Sequence, residues 1–335
     1  MEKDFSRVSM SEEIRLDFLQ NPQIDHELCK LGNYNFLSIA SSFEIDEIMS
    51  FRFKLANMFS KSFALPFNFN CAGFLELFLN FENVYFFNSS HYEIRKAALK
   101  ASNFINVFPL KIDSFSDFKP ASKTLVIAPF INEDIFSFNL DLKNAFPDAT
   151  LALDISYALA LGLKIPPAHI YLANGAPLSL IDGMGIIILD EEYSSPIYKV
   201  GVSRAFYHAI IKRKEIAEIF NNKTNMEIFD KLKKSLGDDI SLFASNFAPN
   251  TLPLRFKSIN TRNLIQHLYL DNVYIQSSQD CYLRLGKPSY TLLSMGFSPS
   301  LARELCTLSF KEILDVDSLV EKIIQSYKII KLMDF

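Results

Sequence analysis

Glycine is scarce in this chain of 335 residues, which contains only 10 of them. A loop that cradles a phosphate with closely approaching backbone amides is hard to build without glycine. Tryptophan is absent, and the cysteines are scattered without the spacing of a metal site, at Cys29, Cys71, Cys281 and Cys306. Isolated thiols of this kind suit a reducing compartment.

Long apolar runs and an excess of basic charge are also missing. No stretch approaches the roughly 20 apolar residues that span a bilayer. The first residues, MEKDFSRVSMSEEIR, carry charges where a secretory signal needs an apolar segment. The formal net charge is −4, so the chain has no basic field for nucleic acid. These absences predict a cytoplasmic protein with neither a membrane nor a nucleic-acid partner.

The residues that are present predict an α/β fold. With 49% hydrophobic and 21% charged residues, the chain can bury large cores. Short apolar runs of the kind found in a mostly parallel sheet occur at 84–87, 124–127, 150–153, 170–172 and 186–189. Helical patterns lie between and around them, at 45–60, 92–104 and 204–221. This alternation predicts βαβ units.

The order of elements changes after about residue 224. There the sequence predicts a helix, a strand at 254–256, a helix from Thr261, a strand at 273–275 and an amphipathic helix at 316–331. We therefore expect a large α/β domain over 26–224. A small α+β domain should comprise 225–335 together with 1–25.

A family resemblance lies in residues 151–190, LALDISYALALGLKIPPAHIYLANGAPLSLIDGMGIIILD. This stretch resembles the central part of cysteine desulfurases and other class V aminotransferases, which use pyridoxal phosphate (PLP). In that family an aspartate at a strand end pairs with the pyridine nitrogen of PLP, and Asp154 matches it. A later Ser-Gly-His-Lys motif holds the cofactor on its lysine. Here the motif reads Asn-Gly-Ala-Pro from Asn174 to Pro177.

The missing lysine is not restored by shifting the alignment. No lysine occurs between Lys164 and Lys199, and a Schiff base with PLP needs a primary amine. The resemblance therefore implies the fold without its usual chemistry.

The resemblance extends to the C-terminal part and covers roughly residues 65–330. The segment 277–281, Ser-Ser-Gln-Asp-Cys, resembles the loop that presents the nucleophilic cysteine of cysteine desulfurases, here Cys281. From there the family pattern runs without a gap through Pro-Ser-Tyr at 288–290. In that register the arginine that grips the substrate carboxylate by a bidentate ion pair falls on Thr307.

Further positions of the family's cofactor site can be compared with this sequence. His91 matches the histidine that stacks on the PLP ring. Gly-Phe-Leu-Glu at 73–76 stands where the family has Gly-Ala-Thr-Glu, so Leu75 replaces a phosphate-binding threonine. Asn174 stands where a phosphate-binding serine would be. The resemblance thus implies a remnant cofactor cleft of His91, Asp154 and Asn174, with no PLP or at most non-covalent PLP.

Each retained residue also has a purely structural interpretation. His91 can cap the helix that follows it. Asp154, at the end of a strand, can cap the segment that follows that strand. Cys281 can be an ordinary free thiol, since an unreactive cysteine packs as a small apolar residue.

The resemblance implies PLP fold type I, with a large domain around a mostly parallel sheet of the seven-stranded type and a small C-terminal α+β domain. It also implies a homodimer, because the active site of the family lies between subunits. We expect a catalytically inactive binding or scaffold protein, with a protein partner in sulfur or amino-acid metabolism. One alternative is an aminotransferase-like enzyme using non-covalent PLP or pyridoxamine phosphate. The other is a persulfide relay through Cys281, since thiolate attack needs no PLP.

Overall fold

The structure of the chain is a computed structural model. It describes residues 13–32, 42–111, 118, 122–191, 201–217, 220, 223–275, 288–313 and 315–333. Within these ranges, no helix is both long enough and apolar enough to cross a membrane.

The N-terminal two thirds of the chain builds a seven-stranded sheet with helices on both faces. Its elements follow the short strand β1 (Ile14–Arg15), α1 (His26–Gly32) and α2 (Ser42–Met58). They are β2 (Phe63–Asn68), α3 (Cys71–Phe78), β3 (Asn83–Phe87), α4 (Tyr92–Ala101), β4 (Asn106–Leu110), β5 (Thr124–Pro129), α5 (Leu142–Ala145), β6 (Thr150–Asp154), α6 (Ser156–Ala160), β7 (Ile170–Asn174), β8 (Met184–Leu189) and α7 (Val202–Ala217).

The sheet is mostly parallel, as predicted, with the strand order β2-β8-β7-β6-β5-β3-β4. Only β8 runs against its neighbours, pairing antiparallel with β2 and β7. The five predicted apolar runs fall in β3, β5, β6, β7 and β8. Strands β5 and β7 are buried along their whole length because helices cover both faces of the sheet.

The strands β2 and β4 form the two edges of the sheet and were not predicted. Each contains a proline, Pro66 in β2 and Pro109 in β4. Proline cannot donate a hydrogen bond to a neighbouring strand, and it is tolerated at sheet edges. The same prolines interrupt the continuous apolar runs that are typical of the interior strands.

The C-terminal third forms a smaller α+β unit. Its elements are α8 (Lys223–Leu236), β9 (Ile240–Leu242), β10 (Thr251–Phe256), α9 (Thr261–Leu270), β11 (Val273–Tyr274), α10 (Tyr290–Ser294), α11 (Pro299–Ala302), β12 (Leu305–Ser309) and α12 (Val316–Met333). An antiparallel sheet has the order β12-β10-β9, and β1 pairs parallel with β11. Leu16 belongs to the same apolar core as Leu254, Leu308 and Ile323. The N-terminal segment therefore packs with the C-terminal unit.

Candidate functional site

Polar side chains gather where β3, β6 and β7 end. In an open α/β sheet, ligands bind outside the carboxyl ends of the strands. We refer to this group as the polar cluster, and its members are His91, Glu93, Glu133, Asp154, Ser156, Asn174 and Asp182. All except Asp182 are largely buried.

Asp154 lies at the end of β6 and binds the start of α6. Its Oδ1 accepts hydrogen bonds from the backbone N of Ser156 at 3.0 Å and from the Ser156 hydroxyl at 2.5 Å. Burial raises the pKa of Asp154 to about 6, although the bonds from Ser156 act in the opposite direction. Within the described part of the chain, Oδ2 of Asp154 accepts no hydrogen bond. That oxygen is chemically suited to receive a proton donor such as a pyridinium.

Asn174 ends β7 and organises the following turn. Its backbone N donates to the Ser156 hydroxyl at 2.7 Å, which connects it to Asp154. Its Nδ2 donates to Asp182 at 2.9 Å, and its Oδ1 accepts from the backbone N of Gly183 at 3.2 Å. The side chain is therefore engaged within the protein. Asn174 and Asp154 are joined through Ser156, a residue that the sequence analysis did not single out.

Pro177 stands at the expected lysine position and forms part of a short 3-10 turn, Ala176–Leu178. It is buried, and its carbonyl accepts a hydrogen bond from Nη2 of Arg213 at 3.2 Å. Its ring has no amine with which to hold a cofactor.

His91 caps α4, as its structural interpretation predicted. Its Nδ1 accepts a hydrogen bond from the backbone N of Glu93 at 3.3 Å. The ring packs edge to face against Phe69, with centroids 5.2 Å apart, and against Tyr92. Burial lowers the pKa of His91 to about 4 and outweighs the opposing effect of Asp182 and Glu93. The ring is therefore neutral at physiological pH.

The N-terminus of α3 is occupied by the protein's own side chains. Asn70 Oδ1 accepts hydrogen bonds from the backbone N of Ala72 and of Gly73, at 3.0 and 3.1 Å. Glu93, from the first turn of α4, accepts from the backbone N of Cys71 at 2.5 Å. Free amides at a helix start form a natural phosphate site. Here a carboxylate and a side-chain amide take up these donors.

The positions expected to contact a phosphate serve packing instead. A Cβ atom on Gly73 would lie 2.1 Å from the carbonyl oxygen of Asn68, so the close approach of α3 to β2 requires glycine. Leu75 lies further along α3 and packs against the apolar core on that side of the sheet.

The polar cluster is rich in carboxylates. His91 Nε2 lies 4.0 Å from Glu133 Oε1. The pKa of Tyr92 rises to about 12, first because of burial and then because Glu93, Asp182 and Glu133 lie near it. Two cations among the described residues border the cluster: Lys96 Nζ lies 3.8 Å from Glu93 Oε1, and the guanidinium carbon of Arg95 lies 3.4 Å from the centroid of the Tyr290 ring. Clustered carboxylates disfavour binding of a doubly charged phosphate.

The position of the expected substrate-binding arginine is structural here. Thr307 is fully buried in β12 and donates its hydroxyl to the carbonyl of Asp134. The Asp134 carboxylate accepts from the Ser289 hydroxyl at 2.7 Å. Arg303 ends α11, is exposed, and contacts the carbonyl of Pro299 at 3.5 Å. Thr307 and Ser289 thereby tie the C-terminal unit to the loop after β5.

Two further predictions concern thiols and metals. Cys281 lies outside the described residues, so its proposed reactivity stays a prediction.

Across the described ranges, no group of three or more metal-ligating side chains is present. The buried free cysteines include Cys29, Cys71 and Cys306.

Comparison with known proteins places this geometry in a fold family. No protein-family model matches the sequence, and no curated protein matches it. A NifS-like protein from Rickettsia africae ESF-5 is 15% identical, with a TM-score of 0.71 over 96% of this chain and 99% of that one. The chain has the PLP-dependent fold type I.

Other fold type I structures agree. A cysteine desulfurase from Thermococcus onnurineus NA1 superimposes with a TM-score of 0.66 at 11% identity, over 96% of this chain and 95% of that one. A Sphingomonas wittichii serine palmitoyltransferase gives 0.66 at 10% identity, over 96% and 88%. The fold inferred from the motifs is therefore confirmed.

The residues of the polar cluster match only part of PLP. Oδ2 of Asp154, which accepts no hydrogen bond from the described residues, could pair with a pyridine nitrogen. His91 lies after β3, which β5 separates from β6 in the sheet. The phosphate does not fit, because Glu93 and Asn70 occupy the amides at the start of α3. The aldehyde has no lysine at Pro177. As arranged, the residues present do not fit the whole cofactor.

Proposed function

We propose that this chain is a non-catalytic protein of PLP fold type I that acts by binding a partner. The observation that supports this most directly is the contact between Glu93 and the backbone N of Cys71. A carboxylate buried at this position satisfies the donor that a cofactor phosphate would need, and it brings a like charge to the same place. The chain's own hydrogen bonds thus occupy the amides at the start of α3 where, by the family resemblance, a cofactor phosphate would bind.

The substitutions at the reacting positions support the same proposal. Pro177 offers no amine, and Thr307 is committed to Asp134 rather than to a substrate carboxylate. A PLP enzyme needs one residue that attaches the cofactor and another that binds the substrate. In this chain, Pro177 and Thr307 stand at those two positions.

The decisive experiment exposes the full chain to PLP, reduces it with borohydride and locates adducts by mass spectrometry. We expect no adduct on a single defined lysine and no visible absorbance band of a bound cofactor. A stoichiometric adduct at one lysine would overturn the proposal.

A matched pair of variants tests the role of Glu93. Glu93→Ala frees the backbone N of Cys71, so we expect it to gain measurable non-covalent affinity for PLP. Glu76→Ala removes a carboxylate from α3 that makes no described hydrogen bond, and it should bind PLP no better than the wild-type chain. Tight PLP binding by the wild-type chain would instead favour the enzyme with non-covalent cofactor.

The remaining expectations are proposals of the same kind. The resemblance supports a cytoplasmic homodimer with a partner in sulfur or amino-acid metabolism. Sedimentation at micromolar concentration should report a dimer, and a stable monomer would contradict it.

Persulfide loading that is lost in Cys281→Ser and passed to a second protein would establish the relay instead.

A further inference from the structure

A large open cavity lies away from the polar cluster. It has a volume of about 950 Å³ and is bounded by the N-terminal segment, α7 and the start of α12. None of the residues that line it belongs to the polar cluster. Its volume is within the range of small-molecule sites in proteins, roughly 300–1,000 Å³.

Arg213 is a buried cation in the wall of this cavity. Its side chain comes from α7, and the residue is only 6% exposed. Nη2 donates to the Ser179 hydroxyl at 2.8 Å and to the Pro177 carbonyl at 3.2 Å. The guanidinium lies 4.7 Å from the centroid of the Phe18 ring. Burial lowers the pKa of Arg213 to about 10, so it stays charged at neutral pH.

No carboxylate in the described ranges forms an ion pair with Arg213. The acid that acts on it electrostatically is Asp25, which is already engaged. Asp25 Oδ2 pairs with Lys212 Nζ at 2.6 Å, and Oδ1 accepts from the backbone N of Glu27 and of Leu28 at 3.1 Å. A buried charge without a partner is unfavourable. A guanidinium has five N–H donors. Among the described residues, the hydrogen bonds of the Arg213 side chain are both donated by Nη2.

Part of the wall is apolar. Phe18, Leu28 and Ile216 are partly buried, and Leu178 and Ala209 are almost fully buried. Most of the other lining residues are polar or charged. An apolar patch together with a buried guanidinium suits a ligand that has an apolar body and a single carboxylate.

The charge of the rim distinguishes between anions. Glu312 and Asp315 are exposed at the cavity together with Lys311, and Lys322 is partly buried there. Asp17 and Asp25 are paired with Arg15 and Lys212. This mixture of charges disfavours a doubly charged phosphate more than a monoanion. We propose that the cavity binds a small organic monocarboxylate with an apolar body, whose carboxylate pairs with Arg213. This site does not depend on the absence of PLP catalysis.

The absence of tryptophan makes a direct test simple. Phe18→Trp places one tryptophan in the cavity wall, and octanoate is titrated against its fluorescence. We expect saturable binding of one octanoate per chain. Phe53→Trp carries the reporter at an exposed position outside the cavity, where 60% of the residue is accessible, and it should not respond.

Two comparisons decide whether Arg213 binds the carboxylate. In the Phe18→Trp background, Arg213→Met should weaken octanoate binding by at least about tenfold, because it removes a charge-assisted pair. Lys214→Met removes an exposed charge from the next position of α7 and should leave the affinity unchanged. Circular dichroism confirms that each variant is folded.

Octan-1-ol provides a measurement that needs no arginine variant. It has the apolar chain without the charge, so the chain with Arg213 should prefer octanoate by at least about tenfold. Equal affinity for the alcohol, no octanoate binding, an unchanged affinity in folded Arg213→Met, or full displacement of octanoate by inorganic phosphate would overturn the proposal.

Discussion

At the scale of single residues, Glu93 shapes the polar cluster more than any residue that the motifs singled out. It begins α4 beside His91, yet its carboxylate binds the first amide of α3, at Cys71. Its sequence position is that of an ordinary acidic residue in a first helical turn, which is favourable there in any helix. The same side chain therefore lies at the start of two helices, and at one of them it occupies a backbone donor of the kind that binds phosphate.

Glu93→Ala should lower the free energy of unfolding by about 1–3 kcal/mol, because it leaves the buried backbone N of Cys71 without an acceptor. Glu93→Gln keeps an oxygen acceptor and should lose less. Urea denaturation measures both, with Glu76→Ala as the control on α3. Equal stability of Glu93→Ala and the wild-type chain would mean that the contact is unimportant in solution.

Asp154 and His91 should have opposite effects on stability over the same range of pH. Burial raises the folded-state pKa of Asp154 from 3.8 to about 6, so its stabilising contribution is present at low pH and is lost as pH rises. Burial lowers the folded-state pKa of His91 from 6.5 to about 4, so its contribution is lost as pH falls. Each effect is on the order of 3 kcal/mol, and the two nearly cancel.

Single variants should expose each titration. Asp154→Asn keeps an acceptor for Ser156, and its free energy of unfolding should rise with pH between about 4 and 6.5 because His91 remains. His91→Asn keeps a capping side chain for α4, and its free energy of unfolding should fall as pH rises from about 3.8 to about 6, because Asp154 remains. Denaturation at a series of pH values measures both slopes. Parallel slopes in the two variants would contradict this account.

At the scale of elements, the loop after β5 connects the large sheet to the C-terminal unit. Asp134 and Phe136 adopt left-handed backbone angles, with φ of 66° and 48°. Such angles are uncommon for residues other than glycine and need support from their surroundings. The side chains of Thr307 and Ser289 bind Asp134 and provide that support.

Thr307→Val should lower the free energy of unfolding by about 1–3 kcal/mol, since a methyl group of similar volume replaces the hydroxyl that binds the Asp134 carbonyl. Thr307→Ser keeps the hydroxyl and should be less destabilising. Urea denaturation distinguishes them. If Thr307→Ser proved the less stable of the two, packing of the methyl group rather than the hydrogen bond would be what matters at this position.

At the scale of the whole molecule, residues from opposite ends of the chain share one core. Leu16 is fully buried among side chains of the C-terminal unit. The backbone of β1 pairs with β11, and the backbone N of Phe18 donates to the carbonyl of Ser309 at 2.9 Å. The N-terminal segment is thus an integral part of the smaller unit.

Leu16→Ala should lower the free energy of unfolding by about 2–5 kcal/mol, the usual effect of removing a large buried side chain. Leu99→Ala is the matched control, because Leu99 is 74% exposed on α4 and surface changes fall within about 0.5 kcal/mol. Thermal or urea unfolding gives both values. A similar small loss in the two variants would place the N-terminal segment outside the cooperative core.

The sequence by itself determined the interior strands of the sheet and the loss of the Schiff-base lysine. The apolar runs in β5, β6, β7 and β8 could be recognised because strands covered on both faces are continuously apolar. The missing Schiff-base lysine at Pro177 could be recognised because the sequence contains no lysine between Lys164 and Lys199, whatever the alignment.

Only the tertiary structure decided which side chain binds the start of α3 and which charge is left in the cavity wall. Glu93 meets the amide of Cys71 across 22 positions, and Leu16 meets the C-terminal core from the far end of the chain. Arg213 has no ion-pair partner among the described residues because the nearby acid, Asp25, is paired with Lys212. These contacts depend on how helices pack on a twisted sheet, and neither periodicity nor residue spacing specifies that packing.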